Sequence, residues 1–295
     1  MESEIKTRLK AVSPMPLISF FRVITKNKTS LVGLIILIVF LAMAIFSPIF
    51  IEPPRSNYAN RFAPPSRQHI LGTDMAGMDV LVQLMLGSRN VLLIAFWAGI
   101  FAVFIGSIIG ILAGLSGGKI DAILTMLTNI VLTIPSFPIM MILSIVVRIN
   151  NSLLFGLMLG VWSWAGLAKA VRSQVLIIKN REFIEASRVI GLRLPSIIIY
   201  DVFPNVLSYI FISFITIMRG AIMASVGLMV LGLVPFAGNH WGIMINTAIS
   251  QSGALFGGAA LMYFISPVTF IVVFQMGCYL FASGLDLAMN PRLRA

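Results

Sequence analysis

"REFIEASRVIGLRLPSIIIYDVFPN", Arg181 to Asn205, interrupts a chain otherwise dominated by long apolar runs. Arg181, Glu182, Glu185 and Arg188 crowd its first eight residues, and runs long enough to cross a membrane flank it on both sides. Residues 181–190 read as a short helix: Phe183, Ala186 and Ile190 share one face, and Arg181, Glu185 and Arg188 share another. Gly191 stands where a helix ends most easily, at a position with φ > 0, and Pro195 follows it. A short amphipathic helix beside membrane spans has two uses. It lies on the lipid surface, or it docks into a groove on a soluble partner. The residues alone leave both open.

The surrounding composition fixes the class. Of 295 residues, 59% are hydrophobic and 11% are charged, against about 25% charged in soluble domains. Several runs approach the ~20 residues needed to cross about 30 Å of hydrocarbon. They are continuous rather than alternating, which argues against a barrel. The expected fold is all-α and polytopic, with six transmembrane helices at about 31–50, 91–115, 122–147, 153–176, 207–233 and 260–285. A polar segment, 1–30, precedes a membrane domain of 31–285, and a short tail, 286–295, follows. Within the domain, 51–88 is a polar loop ending in an amphipathic helix (Asp74 to Gly87), 177–206 holds the charged helix, and 235–258 is a second loop. A cleaved signal peptide is the alternative for the first span, where Ala42-Met43-Ala44 has a small-x-small form. The long polar leader and the continuing apolar run favour a span.

The net charge of +11 would suggest nucleic acid in a soluble protein. Here the positive-inside bias accounts for it. With both termini cytoplasmic, the outer segments hold only Arg55, Arg61, Arg67, Arg89 and Arg148, and the inner segments hold nearly all the rest. This orientation puts the charged helix in the cytoplasm. Arg219 alone falls inside a span, where a charge tends to face a cavity or an ion-pair partner, or, if the span begins later, snorkels to the cytoplasmic interface. Ala98, Ala102, Gly106, Gly110 and Gly114 recur every four residues in span two, giving one face of close helix packing. Packing inside one subunit is favoured over a seam between subunits. Pro135 and Pro138 are expected to kink span three.

Catalytic chemistry finds little material. No G-x-x-x-x-G-K-[ST] phosphate loop is present. Glu182 and Glu185 have no nearby His. His69 and His240 have no G-x-S-x-G nucleophile to serve. Lone Cys278 reads as a buried small side chain, and two His with one Cys leave no metal site. The chain reads as a non-enzyme.

"EASRVIG" (185–191) with "FPN" (203–205) resembles the EAA loop of ABC importer permeases. "HILGTDMAGMD" (69–79), "GLAKAVRSQVL" (166–176), "WG" (241–242) and "NPRLR" (290–294) are similar to the second, C-type permease of dipeptide, oligopeptide and nickel importers. The resemblance implies a type I importer permease fold and a coupling helix that docks on an ATPase. Arg181, Glu182, Glu185, Ala186, Ser187, Gly191 and Pro204 are its coupling residues. The implied partners are a second homologous permease, two cytoplasmic ATPases and an extracytoplasmic substrate-binding protein. ATP and Mg belong to those ATPases, and this chain carries no cofactor. Multi-pass insertion in the bacterial inner membrane follows, as does transport of peptides, with nickel or another small solute as the alternative cargo. Ser187 stands where the family usually has Ala, Asp201 where it has His, Met78 where it has Arg, and Ser225 where it has Glu. His240 and Trp241 are candidate contacts for the binding protein, with interfacial anchoring the favoured reading of Trp241. A stand-alone secondary transporter would show internal repeats, and none is evident. A membrane scaffold is the remaining class.

Overall fold

A computed structural model describes residues 27–147, 149–236, 238–251 and 260–289. Most of the 1–30 segment, Arg148, part of the 235–258 loop and the 290–294 motif lie outside them. Nine helices of eight residues or more form among the described residues: α1 Lys28–Phe50, α2 Val80–Ser116, α3 Gly118–Thr133, α4 Ser136–Val146, α5 Ser152–Lys179, α6 Glu182–Val189, α7 Phe203–Val230, α8 Trp241–Ser250 and α9 Leu261–Met289. Among the described residues five helical rods are long and apolar enough to span a membrane, and the bent pair α3–α4 brings the number to six if its two halves are one broken span.

Local chemistry sets the boundaries. Asn27, Asp79 and Asn151 cap α1, α2 and α5 by accepting from Thr29, Val82 and Leu154 backbone N–H groups. Span three breaks where Ile134 precedes Pro135, and its halves meet at 78°. A residue before proline is pushed out of the helical region, so the break falls where the sequence put a kink.

Two expected boundaries shift. The amphipathic helix expected to end the first loop is the beginning of span two itself. α2 runs unbroken for 37 residues, about 55 Å at 1.5 Å per residue, and so extends well past the hydrocarbon layer. Residues 69–79 form a tight turn in front of it. Asp74 is buried there: its carboxylate accepts from the Ala76 and Met78 N–H groups and from Gln83 Nε2. Met78 joins through its backbone, so this turn needs no arginine side chain at that position. Span five also starts early. A helical turn at Leu194–Ser196 and a π-turn at Ile197–Val202 continue into α7, making one rod from Leu194 to Val230.

The core is held by close helix seams. α2 packs along α5. A Cβ added at Gly106 or Gly110 would come within 2.8 or 2.6 Å of the Trp164 or Ala168 carbonyl, and one at Gly114 within 2.6 Å of Val175. The small-residue stripe therefore faces a helix of its own subunit. α1 and α9 meet in a second seam, where a Cβ on Gly33 would lie 2.5 Å from the Phe281 nitrogen. The larger core joins α1, α2, α4, α5, α7, α8 and α9. A smaller one, at the α6 end, joins Ile111, Leu115, Val171, Val175, Ile184, Ile197, Val202 and Val206.

Candidate functional site

α6 sits on the smaller core by a single knob. Ile184 is fully buried, plugged among side chains from α2, α5 and the root of α7. The expected apolar face of Phe183, Ala186 and Ile190 is therefore not the face that α6 buries in its own subunit. Phe183 is exposed, Ile190 is 72% exposed and Val189 is 87% exposed. Arg181, Glu182, Glu185 and Arg188 are also exposed. Among the described residues none of them forms an ion pair within the chain. Gly191 has φ 82°, and its N–H bonds the Arg188 carbonyl to close the helix. The result is a short helix with one side bolted down and the other presenting apolar side chains rimmed by charge.

Asp201, in the π-turn, faces α6. Ser187 Oγ donates to Asp201 Oδ2 at 2.8 Å. Pro204 stands at the start of α7, and its ring removes a backbone donor from the rod.

A groove of about 670 Å³ runs along α3, lined by Asp121, Thr125, Asn129, Thr133, Ile134 and, from α5, Arg172 among others. Arg172 donates to both Asp121 carboxylate oxygens, at 2.6 and 2.7 Å, and ties α3 to α5 at its α6 end. The Asn129 side chain has no hydrogen-bond partner among the described residues. A groove with polar groups along a membrane span is one that water or cargo can occupy. Sequence reasoning missed this stripe, although Thr125, Asn129 and Thr133 at i, i+4 and i+8 signal it.

The other sequence-level sites separate from these. Arg219 lies within α7, where its backbone carbonyl accepts from Gln275 Nε2 on α9. It has no acidic partner among the described residues. Ser225 is buried and donates to the Ile222 carbonyl, a local bond that needs no charged partner. His240 and Trp241 are core residues, which corrects the surface expected for both. Trp241 is fully buried, donates from Nε1 to the Leu84 carbonyl and packs edge-on against Phe40 and Phe270. His240 is equally buried, and its Nδ1 caps α8 by accepting from the Gly242 N–H. Burial pushes the His240 pKa down to about 3. No cluster of metal-ligating side chains occurs among the described residues.

Five or six apolar spans, with a charged, half-docked helix at one end and a groove along α3 that carries a few polar side chains in a mostly apolar lining, mark a multi-pass membrane protein. The chain belongs to the family described as binding-protein-dependent transport system inner membrane component, whose model matches residues 106–295. Residues 16–65 match the N-terminal TM domain of oligopeptide transport permease C. The oligopeptide transport system permease protein OppC of Bacillus subtilis is 31% identical, covering 91% of this chain and 87% of the relative. The dipeptide transport system permease protein DppC of the same organism is 32% identical, covering 93% and 85%. OppC of Haemophilus influenzae is 32% identical, covering 93% and 87%. The chain is thus a permease subunit of an ABC importer, a non-catalytic component that works with ATPase and substrate-binding partners.

Proposed function

We propose that this chain imports di- or oligopeptides as one half of a heterodimeric permease, with α6 as the coupling helix. The carrying observation is the divided character of α6. Ile184 is sunk in its own subunit, while Phe183, Val189 and Ile190 stand exposed beside Arg181, Glu182, Glu185 and Arg188. Exposed apolar side chains rimmed by charge suit a groove on a soluble partner. Ala186, Gly191 and Pro204 shape that helix and its return into the membrane. Two ATPases, which carry the ATP and Mg, meet this surface in the cytoplasm. A second homologous permease completes the pathway.

The α3 groove supplies this chain's share of the pathway wall. Asn129 offers both a donor and an acceptor, which pairs with a peptide group whatever its side chain. The peptide reading also follows the named cargo of the relatives. Both termini are cytoplasmic and the chain sits in the bacterial inner membrane. The membrane domain is 31–285, with a cytoplasmic segment (1–30) before it, a cytoplasmic tail (286–295) after it and a coupling loop at 177–206. The 51–88 and 235–258 loops face outward, and the binding protein meets their exposed residues rather than His240 or Trp241.

Uptake of labelled peptides and of nickel by a strain lacking this subunit tests the cargo. Restored peptide uptake on complementation supports the reading, and restored nickel uptake alone overturns it. Arg219→Met in the same assay separates two occupants of that guanidinium. Loss confined to peptides with a free carboxylate marks cargo, and loss of the assembled subunit marks a carboxylate on the second permease.

A further inference from the structure

We propose that Ser187 and Asp201 form a positioning latch that makes α6 and the root of α7 move as one body. The proposal rests on the reading of α6 as the coupling helix. Its basis is the way α6 is attached to its own subunit.

Ile184 alone fixes the depth of α6, because it is the one fully buried side chain of that helix. An apolar knob is non-directional. It turns one face of a short helix inward but defines the rotation about the helix axis only loosely. The Ser187 hydroxyl, three residues along, supplies direction by donating to the Asp201 carboxylate at 2.8 Å. Hydrogen bonds to an ionised acceptor are shorter and roughly twice as strong as neutral ones. With both contacts made, depth and roll are set together.

The far side of the latch is equally determined. Pro204 has no N–H to give the carbonyl of Tyr200, four residues earlier, and its ring crowds that carbonyl. The rod answers with the π-turn at Ile197–Val202, an adjustment that often marks functional positions in helices. Asn205 steadies it by donating from Nδ2 to the Asp201 carbonyl at 2.7 Å. Asp201 is thereby held facing α6. Beyond it the helix continues without a break to Val230. A push on α6 therefore enters a rod that crosses the membrane.

Ser187 and Asp201 are two of the positions where the sequence departs from the pattern it resembles, and here the two departures bond to each other. Each explains the other: a hydroxyl at 187 is useful because a carboxylate stands at 201.

The test uses the full complex of permeases, ATPases and binding protein in proteoliposomes. It reads peptide transported per ATP hydrolysed, together with the amount of complex recovered. Ser187→Ala is expected to lower the ratio about fivefold at wild-type recovery, because the apolar knob remains while the roll is freed. Ser187→Thr keeps the hydroxyl and restores the ratio. Combining Ser187→Ala with Asp201→Ala lowers it no further than the worse single change, because both remove one contact. An unchanged ratio in Ser187→Ala overturns the latch. So do losses that multiply in the double variant, or a Ser187→Ala complex that fails to assemble, which would make the bond a support of the fold alone. A wild-type complex that takes up peptide without ATP overturns the underlying reading instead, and that result is recognised before any variant is made.

Discussion

His240 shows how one buried side chain ties pH to stability. Its Nδ1 accepts from the Gly242 N–H, so the ring proton sits on Nε2, which has no partner among the described residues. Protonation would place a charge in apolar surroundings beside the Phe236 ring, and burial lowers the folded pKa to about 3. The unfolded chain titrates near 6.5, so it binds the extra proton first as pH falls. Stability is then full above about pH 6.5 and is lost below it. Between pH 7 and 5 the loss is about 2 kcal/mol. His240→Asn keeps an acceptor for the α8 cap and removes the titration. Thermal unfolding in detergent at both pH values should show the wild type losing more than the variant, and equal shifts would contradict this. The surface role expected of His240 and Trp241 failed because a polar aromatic pair beside glycine looks the same whether its loop faces water or folds inward. Gly191 was legible because a helix end dictates its backbone. The Ser187–Asp201 bond was not, because Pro204 announces a disturbed helical turn without saying which side chain that turn will aim at α6.

At the scale of elements, α2 and α5 were the clearest part of the sequence. Small residues every four positions predict a face of close approach, and the partner proved to lie in the same subunit. The α1–α9 seam stayed hidden, because Gly33, Gly277 and Gly284 are isolated glycines in uniformly apolar helices. α6 was found, and its apolar residues Phe183 and Ile190 stand exposed beside Arg181, Glu185 and Arg188, as a face for lipid or a partner requires. The inward knob was missed, because Ile184 is a single apolar residue with no periodic companion on its side of the helix. The seam makes a paired prediction. Gly110→Ala drives a Cβ to 2.6 Å from the Ala168 carbonyl, and backbone cannot swing aside as a side chain does. Overpacking of this kind costs about 3 kcal/mol, the upper end of the usual range. Gly166→Ala meets nothing within 4 Å and gains up to about 1 kcal/mol of helix propensity. Unfolding of the purified subunit should rank Gly166→Ala at or above wild type and Gly110→Ala well below it. The reverse order would contradict the seam.

At the scale of the whole molecule, the polytopic all-α class was legible because bilayer thickness dictates the length of apolar runs. The starts of spans two and five were not, since those helices continue beyond the hydrocarbon layer into polar sequence. Orientation rests on the distribution of basic residues, and the single buried Cys278 makes it testable with little background. Gln68→Cys should react with an impermeant thiol reagent on intact cells, and Lys119→Cys, exposed at the expected inner turn between α2 and α3, only after lysis. The opposite pattern would invert the topology and remove α6 from reach of any cytoplasmic ATPase. The central claim is that energy enters through α6 and leaves as movement of cargo. ATP dependence of uptake by the reconstituted complex, with Val189→Asp as comparison, tests it most directly. The account predicts peptide uptake that requires ATP on the α6 side and falls at least tenfold in Val189→Asp, because the exposed apolar contact becomes a buried charge on docking. Uptake that proceeds without ATP, or that Val189→Asp leaves at the wild-type rate, would contradict it.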